Sequence, residues 1–126
     1  MAYLYERRVA FADTDAGGRV HFSRLFCYVE EAEHTLLAEL KLPVLDGGGW
    51  PRVHVECDYF APVGMGDEVE VILIPEKVGS TSVRWSFHLL HRGQDVAKGG
   101  MKTVRVDEKG KPVVIPEDWR IKLEGV

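Results

Sequence analysis

Cysteine is scarce in this 126-residue chain: only Cys27 and Cys57 occur, each inside an apolar run. A disulfide framework is excluded as the source of stability, and two buried free thiols are expected, as suits a reducing compartment. Neither cysteine has a histidine in its surroundings that would make it a nucleophile. Long hydrophobic runs are missing too. The opening Met1-Ala2-Tyr3-Leu4-Tyr5-Glu6-Arg7-Arg8 has no apolar signal core, and no stretch approaches the ~20 residues that span a bilayer, so a cytoplasmic protein is expected. Basic blocks are absent and the net charge is −4, which argues against nucleic acid or an anionic membrane as a partner. His34, His54, His88 and His91 show no ligand spacing with one another or with the cysteines, so no metal is expected. There is no repeat, linker or low-complexity segment, which leaves one domain over residues 1–126.

What is present reads as one helix among strands. Tyr3, Tyr5 and Arg7 alternate with Leu4, Glu6 and Arg8 ahead of Val9-Ala10-Phe11, an opening strand. Leu25, Val29, Ala32, Leu36 and Leu40 recur at helical spacing, with Phe26, Glu33 and Leu37 on the flank. The stripe predicts a helix over about 23–41, with Ser23 placed to cap it and Pro43 to stop it. Glu30, Glu31 and Glu33 are expected to face solvent. Strands follow at Arg52 to Phe60, Glu68–Val78, Val83 to Leu90 and about Asp95 to Val106, divided by the turns Pro62 to Gly66, Gly79-Ser80 and Arg92-Gly93-Gln94. Gly99-Gly100 inside the last strand signals a bulge or a close backbone approach. Pro116-Glu117-Asp118-Trp119-Arg120 suggests one helical turn. Short connections imply antiparallel neighbours. One helix covers only one face of such a sheet, so a lone protomer leaves the other face and the edges open, and a homo-oligomer is expected.

The densest chemistry lies in Phe11-Ala12-Asp13-Thr14-Asp15-Ala16-Gly17-Gly18-Arg19-Val20-His21-Phe22, where the first strand gives way to the helix. Asp13 and Asp15 are open to two uses. Aspartate bonds its own backbone two residues on, so both serve ordinary turn chemistry. A calcium loop beginning at Asp13 fails, because its twelfth position is Arg24 instead of a glutamate. The alternative is catalysis. Asp15 would act as nucleophile or general base on a thioester, whose carbonyl carbon is electrophilic because sulfur donates poorly to it. Gly17 and Gly18 permit a tight bend, and amides around Val20 to Phe22 at the helix start would stabilise an oxyanion. His21 is a candidate to orient water, bond Asp15 or touch substrate, or else a loop histidine.

The segment Asp13-Thr14-Asp15-Ala16-Gly17-Gly18-x-Val20, with an acid at Glu30, resembles the hotdog-fold acyl-CoA thioesterases, in particular the 4-hydroxybenzoyl-CoA thioesterase and YbgC-like branch. Two later stretches resemble it as well: Asp58-Tyr59-Phe60-Ala61-Pro62-Val63-Gly64-Met65-Gly66-Asp67-Glu68-Val69 and Gly79-Ser80-Thr81-Ser82-Val83-x-Trp85. The resemblance implies an α+β hotdog fold, a five-stranded antiparallel sheet wrapped around one long central helix. It implies dimers or tetramers with active sites at subunit boundaries, and no cofactor. The family's aspartate falls on Asp15 and its carbonyl-polarising N–H on Phe22, while Glu30 would lie near the acyl group. In the YbgC-like branch a histidine commonly stands where Phe22 stands, whereas here His21 lies one place earlier. The arginines of the benzoyl-CoA branch are replaced by Gly79-Ser80, leaving Lys77, Arg84, Lys98 or Lys102 as phosphate ligands. Hydrolysis of an acyl-CoA or aroyl-CoA is the function implied, catalysed by Asp15 and His21 with Gly17, Gly18, Val20, Phe22 and Glu30 binding substrate. A non-catalytic acyl-CoA-binding module is the alternative, and a hotdog dehydratase ranks behind it.

Overall fold

Period-two alternation of apolar residues dictates the sheet. Val69, Val71 and Leu73 are buried on one side of their strand, and Val83, Trp85, Phe87 and Leu89 on the same side of the next. A computed structural model describes residues 2–126. It contains β1 (Tyr3–Arg8), a single 3-10 turn at Phe11–Asp13, α1 (Arg24–Glu39), β2 (Arg52–Tyr59), β3 (Glu68–Val78), β4 (Ser82–His91), β5 (Gln94–Val104) and α2 (Glu117–Glu124). The strands form one antiparallel sheet in the order β1-β3-β4-β5-β2. The two edges are therefore the first two strands of the chain, and α1 carries the backbone from one edge to the other.

The apolar stripe of α1 (Leu25, Val29, Ala32 and Leu36, joined by Tyr28 and Leu37) is buried against the inner face of the sheet. Phe26 meets Phe87 edge to face at 6.2 Å between ring centroids. Each fully buried aliphatic side chain here contributes roughly 1.5–3 kcal/mol of transfer free energy, which is what holds helix to sheet. Trp85 satisfies its indole N–H on the buried Thr103 hydroxyl at 3.1 Å.

The helix is bounded by different chemistry from that expected. Ser23 does occupy the cap position, but its hydroxyl pairs with His21 Nδ1 and makes no bond to a helix N–H. At the other end the stop is not Pro43. The helix closes at Leu40, where Lys41 takes a left-handed φ of 58° and the N–H groups of Lys41 and Leu42 bond the carbonyls of Ala38 and Leu37. This is a Schellman closure made with lysine in glycine's usual place. Glu33 is a second departure: it is fully buried, not solvated. Arg52 on β2 reaches it, bonds the Trp50 carbonyl at 3.1 Å and lies 3.6 Å from Glu30, tying the helix to the edge strand. Burial pushes the Glu33 carboxyl up, with Arg52 pulling against it, and its Oε2 finds no hydrogen-bond partner among the described residues.

Smaller differences follow the packing. Cys27 is exposed on α1, not buried, and Cys57 is partly buried; both are free. The tail forms two helical turns instead of one, because buried Leu123 fastens α2 and Arg120 bonds the carbonyls of Val78 and Gly79. At Gly99 the close approach is real. A Cβ there would lie 2.0 Å from the Glu56 carbonyl oxygen and 2.8 Å from Phe87 Cζ. The register shift between β4 and β5 falls elsewhere, at Leu89 and Leu90. Gly99→Ala should accordingly destabilise the fold by about 2 kcal/mol or more, read as a lower denaturant midpoint at unchanged slope.

Candidate active site

Between β1 and α1 the chain must reverse and enter a helix, and Asp13 organises the reversal. Its carboxylate, in a residue only 5 % exposed, accepts the Tyr28 hydroxyl at 2.7 Å and the Ala10 N–H at 3.0 Å. Arg7 and Arg24 stand 3.4 and 3.9 Å away. Arg7 also bonds Glu31 at 2.8 Å and lies over the Tyr28 ring, so β1 and α1 are clamped through the same group. The Asp13 backbone carbonyl accepts the His21 N–H at 2.8 Å. Nine residues are thereby folded into a closed loop, with an antiparallel bridge between Thr14 and Val20.

Asp15 sits on that loop and is exposed. One carboxylate oxygen, Oδ1, accepts the N–H of Gly17 at 2.8 Å and that of Arg19 at 3.4 Å, which is the turn chemistry its sequence allows. The other oxygen, Oδ2, has no hydrogen-bond partner among the described residues. Gly17 lets the turn pass close to the acid, since a Cβ there would lie 3.3 Å from Oδ1, and Gly18 adopts a left-handed φ of 78°. Turn and free oxygen thus coexist in one side chain.

Beside the acid runs an open groove of about 370 Å³. Asp15, Arg19, Val20 and Phe22 form one wall, and Leu25, Tyr59 and the Phe60–Val63 turn the other. The Val20 N–H is spent on the Val63 carbonyl at 2.8 Å. The Phe22 N–H, by contrast, has no acceptor within the described chain, so one groove is lined by a residue with an uncommitted donor and by a residue with an uncommitted carboxylate oxygen. The Phe22 carbonyl accepts the Tyr59 hydroxyl at 2.9 Å. His21 does not reach Asp15. Its Nδ1 pairs with the Ser23 hydroxyl at 2.8 Å and faces the Ser23 N–H at 3.3 Å, while its ring stacks on Phe22 at 4.5 Å.

Glu30 lies outside the groove. It lines a smaller apolar cavity of about 260 Å³ with Phe26, Cys27, Arg52, Val55 and Met101, farther along the same seam between α1 and β2. Tyr59 and Leu25 belong to the site but were not among the residues expected there. Tyr59 stands in the Tyr-Phe-Ala-Pro stretch that signals a turn, and nothing in that pattern reveals that its hydroxyl reaches back to Phe22. Among the described residues no group of three or more His, Cys, Asp or Glu side chains is placed to hold a metal ion, and no helix is long and apolar enough to cross a membrane.

One helix cradled by a five-stranded antiparallel sheet, with an acid loop at the helix entrance, defines a hotdog thioesterase fold. Residues 17–98 match the Thioesterase superfamily, and the chain belongs to that family. A 1,4-dihydroxy-2-naphthoyl-CoA hydrolase of Synechococcus elongatus is 36 % identical over 101 residues, covering 75 % of this chain and 74 % of the relative. A solved gentisyl-coenzyme A thioesterase superposes with a TM-score of 0.87 at 29 % identity, over 95 % of this chain and 98 % of that one. A 1,4-dihydroxy-2-naphthoyl-CoA thioesterase from Synechocystis gives a TM-score of 0.91 at 24 % identity, over 100 % and 98 %, which speaks to the fold.

Burial alone would raise the Asp13 pKa, but the Tyr28 hydroxyl, the Ala10 N–H and the two guanidiniums outweigh it and hold the carboxyl below its ordinary 3.8. A depressed folded-state pKa stabilises the protein fully above the unfolded value near ~4, and the gain is lost as pH falls through the lower folded value. Asp13→Asn should therefore lower unfolding free energy by about 2 kcal/mol near neutral pH. Denaturant titrations at stepwise lower pH should show that gap closing below about pH 4.

Proposed function

We propose that this protein hydrolyses an aroyl-CoA thioester to the free carboxylate and CoA, with Asp15 as the reacting acid. The observation that supports this most is the division of labour in one side chain: Oδ1 is fixed by two backbone N–H groups while Oδ2 has no such partner, and Asp15 lines the same groove as Phe22, whose N–H is unpaired. Oδ2 adds to the thioester carbon, or takes a proton from a water that does so. The Phe22 N–H donates to the carbonyl oxygen as it gains charge. The C–S bond then breaks, CoA leaves as its thiolate and is protonated by solvent, and in the direct route a water then hydrolyses the acyl-aspartate anhydride, releasing the carboxylic acid and regenerating Asp15. His21 contributes by closing the loop that presents Phe22, and Gly17 and Gly18 by shaping it. Glu30 and the cavity beside it receive the distal part of the acyl group.

The aromatic preference rests on relatives. Both 1,4-dihydroxy-2-naphthoyl-CoA and gentisyl-CoA are thioesters of hydroxylated aromatic acids, a substrate class shared with the 4-hydroxybenzoyl-CoA branch that the motifs resemble. A release assay for free thiol across short, long and aromatic acyl-CoAs should show the highest kcat/KM for an aroyl-CoA. Asp15→Asn, which keeps shape and removes charge, should lower kcat about 100-fold or more with the fold retained. Undiminished release by that variant would rule the mechanism out, and absence of release across the whole panel would favour a binding module.

The working unit in this proposal is a dimer, or a tetramer of paired dimers, of single-domain protomers. Val55, 47 % exposed, lies on the inner face of edge strand β2 at the margin of α1, and Val53, 59 % exposed, stands at the register shift between Arg52 and His54. Phe22 at 64 % and Phe60 at 57 % are exposed at the groove close by. A second copy docked along β2 would cover this apolar strip and wall in the groove. Val55→Lys should shift the sedimentation coefficient toward that of a monomer.

A further inference from the structure

We propose that Tyr59 is a positioning residue for the oxyanion donor: its hydroxyl, anchored on β2, holds the Phe22 segment so that the Phe22 N–H faces the groove. This rests on the function proposed above and adds to it a residue from the opposite wall. The loop from His21 to Arg24 is pinned on three sides. His21 N–H is bonded to the Asp13 carbonyl, Arg24 N–H to the His21 carbonyl at 2.8 Å, and Ser23 N–H faces His21 Nδ1. Phe22 is the apex between those ties, with its side chain exposed and its N–H free. Apart from the stack of its ring on His21, its one hydrogen bond among the described residues is the 2.9 Å bond its carbonyl accepts from Tyr59. The plane that carries the Phe22 N–H is held at its other end by the His21 carbonyl bonded to Arg24, and the Tyr59 bond fixes the next plane, Phe22–Ser23, so the Phe22 Cα between them is held from both sides. A backbone donor worth several kcal/mol to a transition state is worth that only when aimed beforehand.

The contact spans 37 residues of sequence and joins the mouth of α1 to the last residue of β2. Tyr59 also lines the groove, so its hydroxyl sits where the substrate would pass. The loss of solvent around the phenol, and then Cys57 next to it, push its pKa up to about 12, so it remains a donor at neutral and moderately alkaline pH. Asp15 takes no part in this contact. Acid and donor are therefore set independently, the first by Gly17 and Arg19, the second by Tyr59.

Tyr59→Phe removes the hydroxyl and keeps the ring. With whichever aroyl-CoA of the panel is hydrolysed fastest, kcat should fall about tenfold while KM stays within about twofold, since the bond serves the transition state and not substrate affinity. A second measurement reads the donor directly. In Asp15→Asn, which holds the thioester unreacted, the carbonyl stretch of the bound substrate should move to lower frequency than in solution. In Asp15→Asn combined with Tyr59→Phe, at least half of that displacement should vanish. Unchanged kcat in Tyr59→Phe overturns the proposal, as does a rise confined to KM, or a carbonyl displacement that survives in the double variant. A normal displacement in Asp15→Asn accompanied by full turnover would instead refute the role of Asp15 and leave that of Tyr59 standing.

Discussion

A single buried carboxylate, that of Asp13, sets the geometry of everything around the site. Removing an ionised group from water is expensive unless each oxygen finds a partner. Here Tyr28, Ala10, Arg7 and Arg24 supply them from the strand, the loop and the helix. The consequence is a strand and a helix locked at one mutual angle, with a loop of fixed circumference between them. Asp15 is exposed yet held in its loop, because Asp13, two residues earlier, is buried and bonded to Tyr28 and Ala10. Two aspartates of the same motif therefore divide the work: one holds the scaffold and the other is left available for chemistry.

The architecture was legible because each element carries its own period. Val69, Val71 and Leu73 alternate as a strand with one buried face must, and β3 runs between the residues expected, Glu68 and Val78. The α1 stripe places the helix to within two residues at each end. What could not be read were matters decided by partners distant in sequence. Glu33 looks like a solvated flank residue until Arg52, on another element, is seen to reach it. Cys27 looks buried because its neighbours are apolar, yet its own direction on the helix points outward. The ends of α1 misled for a related reason. Side-chain capping by Ser23 lost to a local bond with His21, and the stop came from backbone closure at Lys41.

The site shows the same division. The Asp/Gly segment was visible as a candidate from its composition, and turn chemistry and catalysis looked like competing explanations for Asp15. The turn occupies one of the two carboxylate oxygens, so finding it does not exclude the catalysis proposed for the other. The opposite wall was invisible. Tyr59 and Leu25 are ordinary members of a strand and a helix, and only the crossover that brings the end of β2 beside the start of α1 makes them neighbours of Asp15.

That crossover also shapes how the molecule comes into being. The borders of the sheet, β1 and β2, are synthesised before any of the strands they pair with, whereas β3, β4 and β5 follow as a meander of short hairpins. On a ribosome the first half of the chain therefore emerges as an amphipathic helix flanked by two unmatched ribbons. Closure waits until the hairpins have appeared and the early ribbons can be captured from either side, a high-contact-order step. The strip of β2 that stays open even in the finished protomer is thus uncovered from the earliest moments of translation, and two nascent chains on neighbouring ribosomes would be well placed to find one another through it.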